Sequence, residues 1–264
     1  MQKLPASVGW LWVKEGFSLF RKQPFEMATL FLSYMFLMLA LGILPVIGQL
    51  LPLLLVPVFS MSFMQACLQV EQGKKVYPNL LVTGFRSPSL VPLLKLGVLY
   101  VVAAIVAVLA SAPVDGGLFL EVMSGRKALD AETLRGSNMT LAMMFSALVY
   151  TPATMAFWYA APLIAWQRMG VGKALFYSFF AVQRSGRAFL VYGLAWVLVG
   201  VLLPAILSSV VALIFGRLLV VSLVLIPLSL VLTVVMYCSF YPTYTHVFGR
   251  PGETPQPGQD KLEA

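Results

Sequence analysis

Residues able to do chemistry are sparse in this chain. The sole histidine, His246, stands near the end of a long apolar run, with Tyr241, Tyr244 and Arg250 close by in sequence. A protein metal centre needs clustered His, Cys, Asp or Glu at set spacings, and no His-x-Glu, Cys-x-x-Cys or His-Glu-x-x-His pattern is present. A Ser-His-acid arrangement could be built only through His246. No glycine-rich loop ends in Lys-Ser or Lys-Thr to cradle a phosphate. Cys67 and Cys238 lie in or beside apolar runs and read as buried structural thiols, with nothing that calls for a disulfide. These absences predict a protein that is not an enzyme and uses neither cofactor nor metal. His246 then reads as a half-buried member of an interfacial aromatic belt, or as a polar group between helices or beside a cavity.

The remaining polar groups fit the same picture. Gln65 and Gln69 stand one helical turn apart and share a face, where they can bond between helices or line a cavity. Ionisable residues in the middle of apolar runs would mark an ion or proton path, and there are none. Pro57, Pro152, Pro162, Pro204 and Pro227 interrupt the runs, with Pro242 near the end of the last. Each removes a helix hydrogen bond and invites a kink.

The elements that must carry these residues follow from composition. Of 264 residues, 60% are hydrophobic and 11% charged, against about 25% charged in soluble domains. Too few charges remain to solvate a surface, so the surface faces lipid. No Asp, Glu, Lys or Arg occurs between Glu26 and Glu71, Lys95 and Asp115, Arg135 and Arg168, Arg187 and Arg217, or Arg217 and Arg250. A helix crosses the hydrocarbon layer with about 20 apolar residues. The first gap therefore holds two spans and each later one a single span. Barrel strands would alternate apolar with polar residues, and these runs do not. The sequence thus predicts an all-α polytopic membrane helix bundle: six spans in three hairpins, at about 25–44, 50–70, 89–112, 139–166, 188–215 and 218–247. Pro45, Gly48 and Pro52 mark the turn of the first hairpin. The Pro- and Gly-rich tail 249–264 reads as disordered.

A basic, Phe-bearing segment leads into each hairpin, and each such lead could form an amphipathic interfacial helix. The first, about 8–22, places Trp10, Val13, Phe17 and Phe20 on one helical face and Lys14, Ser18, Arg21 and Lys22 on the other. The second ends in Gly84-Phe85-Arg86, and the third carries Lys173, Arg184 and Arg187. The three leads are either repeats of one unit or the basic joints that any six-span protein has. Together these residues suit anionic lipid headgroups.

The basic residues also set orientation. One side collects Lys3, Lys14, Arg21, Lys22, Lys74, Lys75, Arg86, Lys95, Arg168, Lys173, Arg184, Arg187, Arg250 and Lys261; the other receives Arg126, Lys127, Arg135 and Arg217. The rich side belongs in the cytoplasm, which puts both termini there. The net charge of +8 is thereby read as topology, not as nucleic-acid binding.

The segment Phe157-Trp158-Tyr159-Ala160-Ala161-Pro162-Leu163-Ile164-Ala165-Trp166, followed by Gly172-Lys173-Ala174-Leu175, Ser178-Phe179 and Arg187 to Gly193, resembles an uncharacterised family of six-span bacterial inner-membrane proteins, mostly beta-proteobacterial. Ser185-Gly186 departs from that pattern, in which an Asn follows the basic residue. The hairpin layout is also similar to the membrane domain that precedes some glycerophosphodiester phosphodiesterases, without their catalytic domain. The resemblance implies a membrane module of the bacterial inner membrane. The functional expectation is a non-enzymatic module that contacts lipid or protein partners; the alternative is a transporter or channel for a neutral or amphipathic solute.

Overall fold

The computed structural model describes residues 4–44, 48, 50–128, 130, 137–215 and 220–252. Pro45, Gln49, Arg135, Arg217 and the tail from residue 253 fall outside them. The described chain is predominantly helical, with no strand among the described residues. The order is α1 (Ser7–Lys22), α2 (Pro24–Gly42), α3 (Leu51–Glu71), α4 (Leu80–Thr83), a 3-10 turn (Gly84–Arg86), α5 (Leu90–Asp115) and α6 (Leu118–Met123). Then come α7 (Met139–Phe157), α8 (Ala160–Gln167), α9 (Val171–Arg184), α10 (Gly186–Val197), a π segment (Leu198–Leu202), α11 (Leu203–Phe215), a second π segment (Val220–Leu225) and α12 (Ile226–Phe248). Six helical stretches are long and apolar enough to cross a membrane: Pro24–Gly42, Leu51–Glu71, Leu90–Asp115, Met139–Gln167, Gly186–Ile214 and Leu223–Phe248. The fold is the all-α polytopic bundle that the charge-free runs predict.

The chain divides into two compact units, Met1–Leu37 with Phe59–Arg86 and Arg184–Ala264, and Met38–Val58 with Ser87–Gln183. In the first, α1 lies against α10 and α12. Two glycines allow the approach: a Cβ at Gly9 would collide with the Ala188 carbonyl, and one at Gly16 with Ser239. Between them Trp12 and Val13 are buried. Trp12 meets the Phe189 ring at 5.2 Å and the Tyr192 ring at 5.7 Å, and Tyr192 shares a 2.7 Å hydrogen bond with Ser239. Gln23 closes the end of α1 by donating to the Lys74 carbonyl at 2.7 Å and accepting from the Val76 N–H at 3.0 Å. Phe31, Tyr34, Phe63 and Tyr237 form an aromatic cluster, with Phe63 and Tyr237 stacked at 4.5 Å.

In the second unit α5 packs along α7, and Gly97 lets α5 meet the Leu54 backbone, where a Cβ would clash. Asp115 caps α6 by accepting from the Gly117 and Phe119 N–H groups at 3.0 and 2.7 Å. That turn runs through Gly116 and Gly117 at φ 70° and 91°, where only glycine is unstrained. Phe119, Met139 and Ala142 form a small core there.

The prolines are accommodated in three ways. Pro57, Pro152 and Pro242 lie inside continuous helices. Pro204 and Pro227 each follow a π segment. A proline ring clashes with the carbonyl four residues earlier, here that of Gly200 or Leu223, and each of these carbonyls lies in the wider π turn before its proline. Pro162 instead breaks its span at Trp158 and Tyr159, between α7 and α8. Ser178 of α9 enters that break: its hydroxyl accepts from the Tyr159 N–H at 2.8 Å and donates to the Met155 carbonyl at 2.9 Å. One hydroxyl thus bridges the two backbone groups of a missing helical bond.

The hairpin leads are unequal. The first and third are full helices, α1 and α9. The second is only α4 and the 3-10 turn, because Pro78, Gly84 and Pro88 leave no room for a longer helix. The serine at the break generates the clearest stability test. Ser178→Ala strands a buried N–H and a carbonyl, so unfolding of the purified chain in mixed micelles should show a loss of roughly 2 kcal/mol or more. Ser178→Cys, which keeps a weak donor and acceptor, should lose less.

Candidate functional site

The described residues hold no group of three or more His, Cys, Asp or Glu placed to bind a metal ion. Cys67 and Cys238 are free and buried. Polar side chains converge elsewhere, in a cleft of about 490 Å3 in the first unit. One wall is α1, with Glu15, Ser18, Leu19 and Lys22. The other is the end of α12 and the residues after it, with Tyr241, Pro242, Thr245, His246, Gly249 and Arg250. Glu71, the last residue of α3, completes the lining.

Two hydrogen-bonded chains build these walls. The Trp12 indole N–H donates to His246 Nδ1 at 3.1 Å, and His246 Nε2 lies 3.3 Å from Glu15 Oε2. An indole is a donor only, so Nδ1 must offer its lone pair and a neutral His246 carries its proton on Nε2, aimed at Glu15. This arrangement leaves Ser18 without a base: one ring nitrogen is engaged by Trp12 and the other already bears the proton. In the second chain Tyr241 donates to Glu71 Oε2, and Arg250 Nη2 pairs with Glu71 Oε1 at 3.1 Å. A carboxylate at the C-terminus of a helix opposes the helix dipole. Tyr241 and Arg250 offset that cost.

The two faces expected of the first lead are rearranged. Its inward face is Gly9, Trp12, Val13, Gly16 and Leu19, packed on protein. Val13 therefore belongs to the core. Trp10, Lys14 and Arg21 are exposed and Phe17 half-buried. These four fall at i, i+4, i+7 and i+11, so aromatic and basic groups share one outward stripe instead of opposing each other. Lys14 Nζ lies 5.8 Å from the Trp10 ring centroid. Lys22 is on another face and lines the cleft. In the second unit, α9 has the same construction. Ala174, Ser178, Ala181 and Val182 are buried, while Lys173, Phe176, Tyr177, Phe180 and Arg184 are exposed. Lys173 Nζ lies 5.8 Å from the Tyr177 ring. Arg86 and Arg187 are exposed. Gln65 and Gln69 are half-buried on α3 and do not line the cleft.

Of the cleft residues, His246 is legible from sequence as a group between helices or beside a cavity, and Lys22 and Ser18 only as part of an outward basic face. Glu15 and Glu71 escaped notice, although each carried a signal. Glu15 is the only acid in an otherwise basic aromatic helix, and Glu71 ends the longest charge-free run.

A search of curated proteins finds a probable inner membrane protein of Burkholderia thailandensis, 38% identical over 273 residues, which cover 98% of this chain and 96% of the relative. The chain belongs to that protein's family. It is a multi-pass inner-membrane protein, in keeping with its six helices long and apolar enough to cross a membrane. No family model matches it, and no solved structure matches it. The relative's name states where it resides and assigns it no reaction. The membrane-protein context raises the weight of the Trp12–His246 bond, which ties the N-terminal helix to the end of the last span. Trp12→Phe keeps the ring and removes the N–H. It should lower unfolding stability in micelles by about 1 kcal/mol, whereas Trp12→Ala should cost about 3–5 kcal/mol.

Proposed function

We propose that this protein is a non-enzymatic module of the inner membrane, and that it engages anionic lipid through α1 and α9 with both termini in the cytoplasm. The single observation that carries this reading is the shared construction of the two helices. Each buries a face of small residues, or of glycines around one Trp, against its own unit. Each then turns a Trp/Phe/Tyr and Lys/Arg stripe outward. Aromatic rings favour the headgroup level, and Lys or Arg near an anionic leaflet contributes about 1 kcal/mol each.

The test uses the whole chain, because the inner face of α1 is committed to protein. Spin-labelled phosphatidylglycerol should associate with the reconstituted protein more strongly than spin-labelled phosphatidylcholine. The combined substitution Lys14→Gln, Arg21→Gln, Lys173→Gln and Arg184→Gln should bring the two lipids close to parity. Unchanged selectivity in that variant would end the reading.

The alternative, a path for a neutral or amphipathic solute, has one observation in its favour. A groove of about 340 Å3 in the first unit is lined by Trp196, Gly200, Pro204, Ile226, Ser229 and Thr233, among others, beside the two π segments. Ser229 and Thr233 spend their hydroxyls on the Ile226 and Ser229 carbonyls of their own helix, which leaves the groove mainly apolar. With both native thiols buried, Gly200→Cys is a clean reporter. The module reading expects it to stay inert to a membrane-impermeant maleimide; labelling at the rate of a loop cysteine would favour the solute path.

A further inference from the structure

The cleft between α1 and the end of α12 differs in kind from the two outward stripes. The stripes are basic. The cleft is charge-balanced, with the carboxylates of Glu15 and Glu71 against the cations of Lys22 and Arg250. Its two walls also differ. On the α12 side Glu71 is fully engaged, one oxygen by Tyr241 and the other by Arg250. On the α1 side Glu15 uses only Oε2, for His246, and its side chain is 36% exposed. Among the described residues Glu15 Oε1, the Ser18 hydroxyl and the Lys22 ammonium have no hydrogen-bond or ion-pair partner. These three groups fall at i, i+3 and i+7 of one helix and face one cavity. A carboxylate, a hydroxyl and an ammonium are thus set out in order along about two helical turns.

We propose that this cleft is a binding site for the headgroup of a zwitterionic aminophospholipid, that is, for a phosphoethanolamine group. The lipid's primary ammonium donates to Glu15 Oε1, and its phosphate accepts from the Ser18 hydroxyl and the Lys22 ammonium. Both are charge-assisted contacts, the strong class of hydrogen bond. The neutral balance of the cleft matches a neutral zwitterion. An anionic headgroup would bring phosphate without the ammonium, leaving Glu15 facing uncompensated negative charge. A trimethylated headgroup has no N–H to donate. The position fits as well, since α1 begins and ends outside the spans and the cleft lies where α3 and α12 finish. A cleft at the end of spans lies at headgroup level, whichever leaflet that is. The inference therefore does not depend on the anionic-lipid reading of the stripes.

Native mass spectrometry of the full chain released from micelles tests it, with phosphatidylethanolamine, phosphatidylcholine and phosphatidylglycerol of matched acyl chains at equal concentration. The ethanolamine lipid should be retained over the choline lipid by about fivefold. Glu15→Gln should reduce that ratio towards one, and Lys22→Gln should lower retention of the ethanolamine lipid itself by loosening its phosphate, while Lys14→Gln with Arg21→Gln leaves both unchanged and lowers only phosphatidylglycerol retention. Water-soluble glycerophosphoethanolamine in excess should compete the bound lipid away from the cleft. Lys22 is exposed, so its variant keeps the test open should Glu15→Gln loosen α1 through His246. Equal retention of the ethanolamine and choline lipids by the unsubstituted chain would overturn the proposal. So would undiminished retention of the ethanolamine lipid in Lys22→Gln.

Discussion

A peptide group inside hydrocarbon has no water to bond with, and each irregularity in a span must supply its own remedy. The Ser178 hydroxyl, standing between the Tyr159 N–H and the Met155 carbonyl, is the most specific remedy in this chain. It ties α9 to the break between α7 and α8. It also explains why α9 buries small residues: Ala174 and Ala181 flank Ser178 on the face that must come close to another backbone. Burying that face leaves the bulky residues, Phe176, Tyr177 and Phe180, with only the outward direction. The exposed aromatic stripe of α9 is a consequence of the need to satisfy two peptide groups.

The same economy governs α1, with glycine in place of alanine. Gly9 and Gly16 bring the α1 backbone against α10 and α12, and Trp12 fills the space between them. Trp12 is amphipathic, and its indole N–H must find an acceptor when buried. His246 provides it, and in doing so presents its other nitrogen to Glu15. A packing requirement at the helix interface thereby sets the tautomer of the only histidine. It also orients a carboxylate along the cleft. The residues that pack and the residues that line the cleft are consecutive parts of one chain of contacts.

Much of the architecture could be read from charge spacing. Five charge-free stretches, the first long enough for two spans, leave helices as the only way to satisfy the backbone in lipid, and that argument needs no contacts. Pro162, Pro204 and Pro227 were equally visible as irregularities. Their remedies were not. Whether a proline yields a break filled by a serine, or a π turn, depends on what lies across the interface. Nothing in the local sequence around Pro162 points to a serine sixteen residues onward.

The faces of α1 show the division most sharply. Periodicity pointed to an amphipathic helix over about 8–22 whose Trp10, Lys14, Phe17 and Arg21 could meet a membrane surface. It could not say which of several apolar stripes is spent on the protein. Hydrophobicity alone ranks Trp10 with Trp12 and overlooks Gly9 and Gly16. Only the packing against α10 and α12 selects the glycine stripe, because close backbone approach is a property of two surfaces together. The sequence by itself determined the all-helical class and the number of apolar spans, since both follow from the cost of placing charge and unpaired peptide groups in lipid. The tertiary structure alone decided the polar cleft. Glu15, Glu71 and His246 are distant in sequence and acquire a shared environment only when α1, α3 and α12 meet.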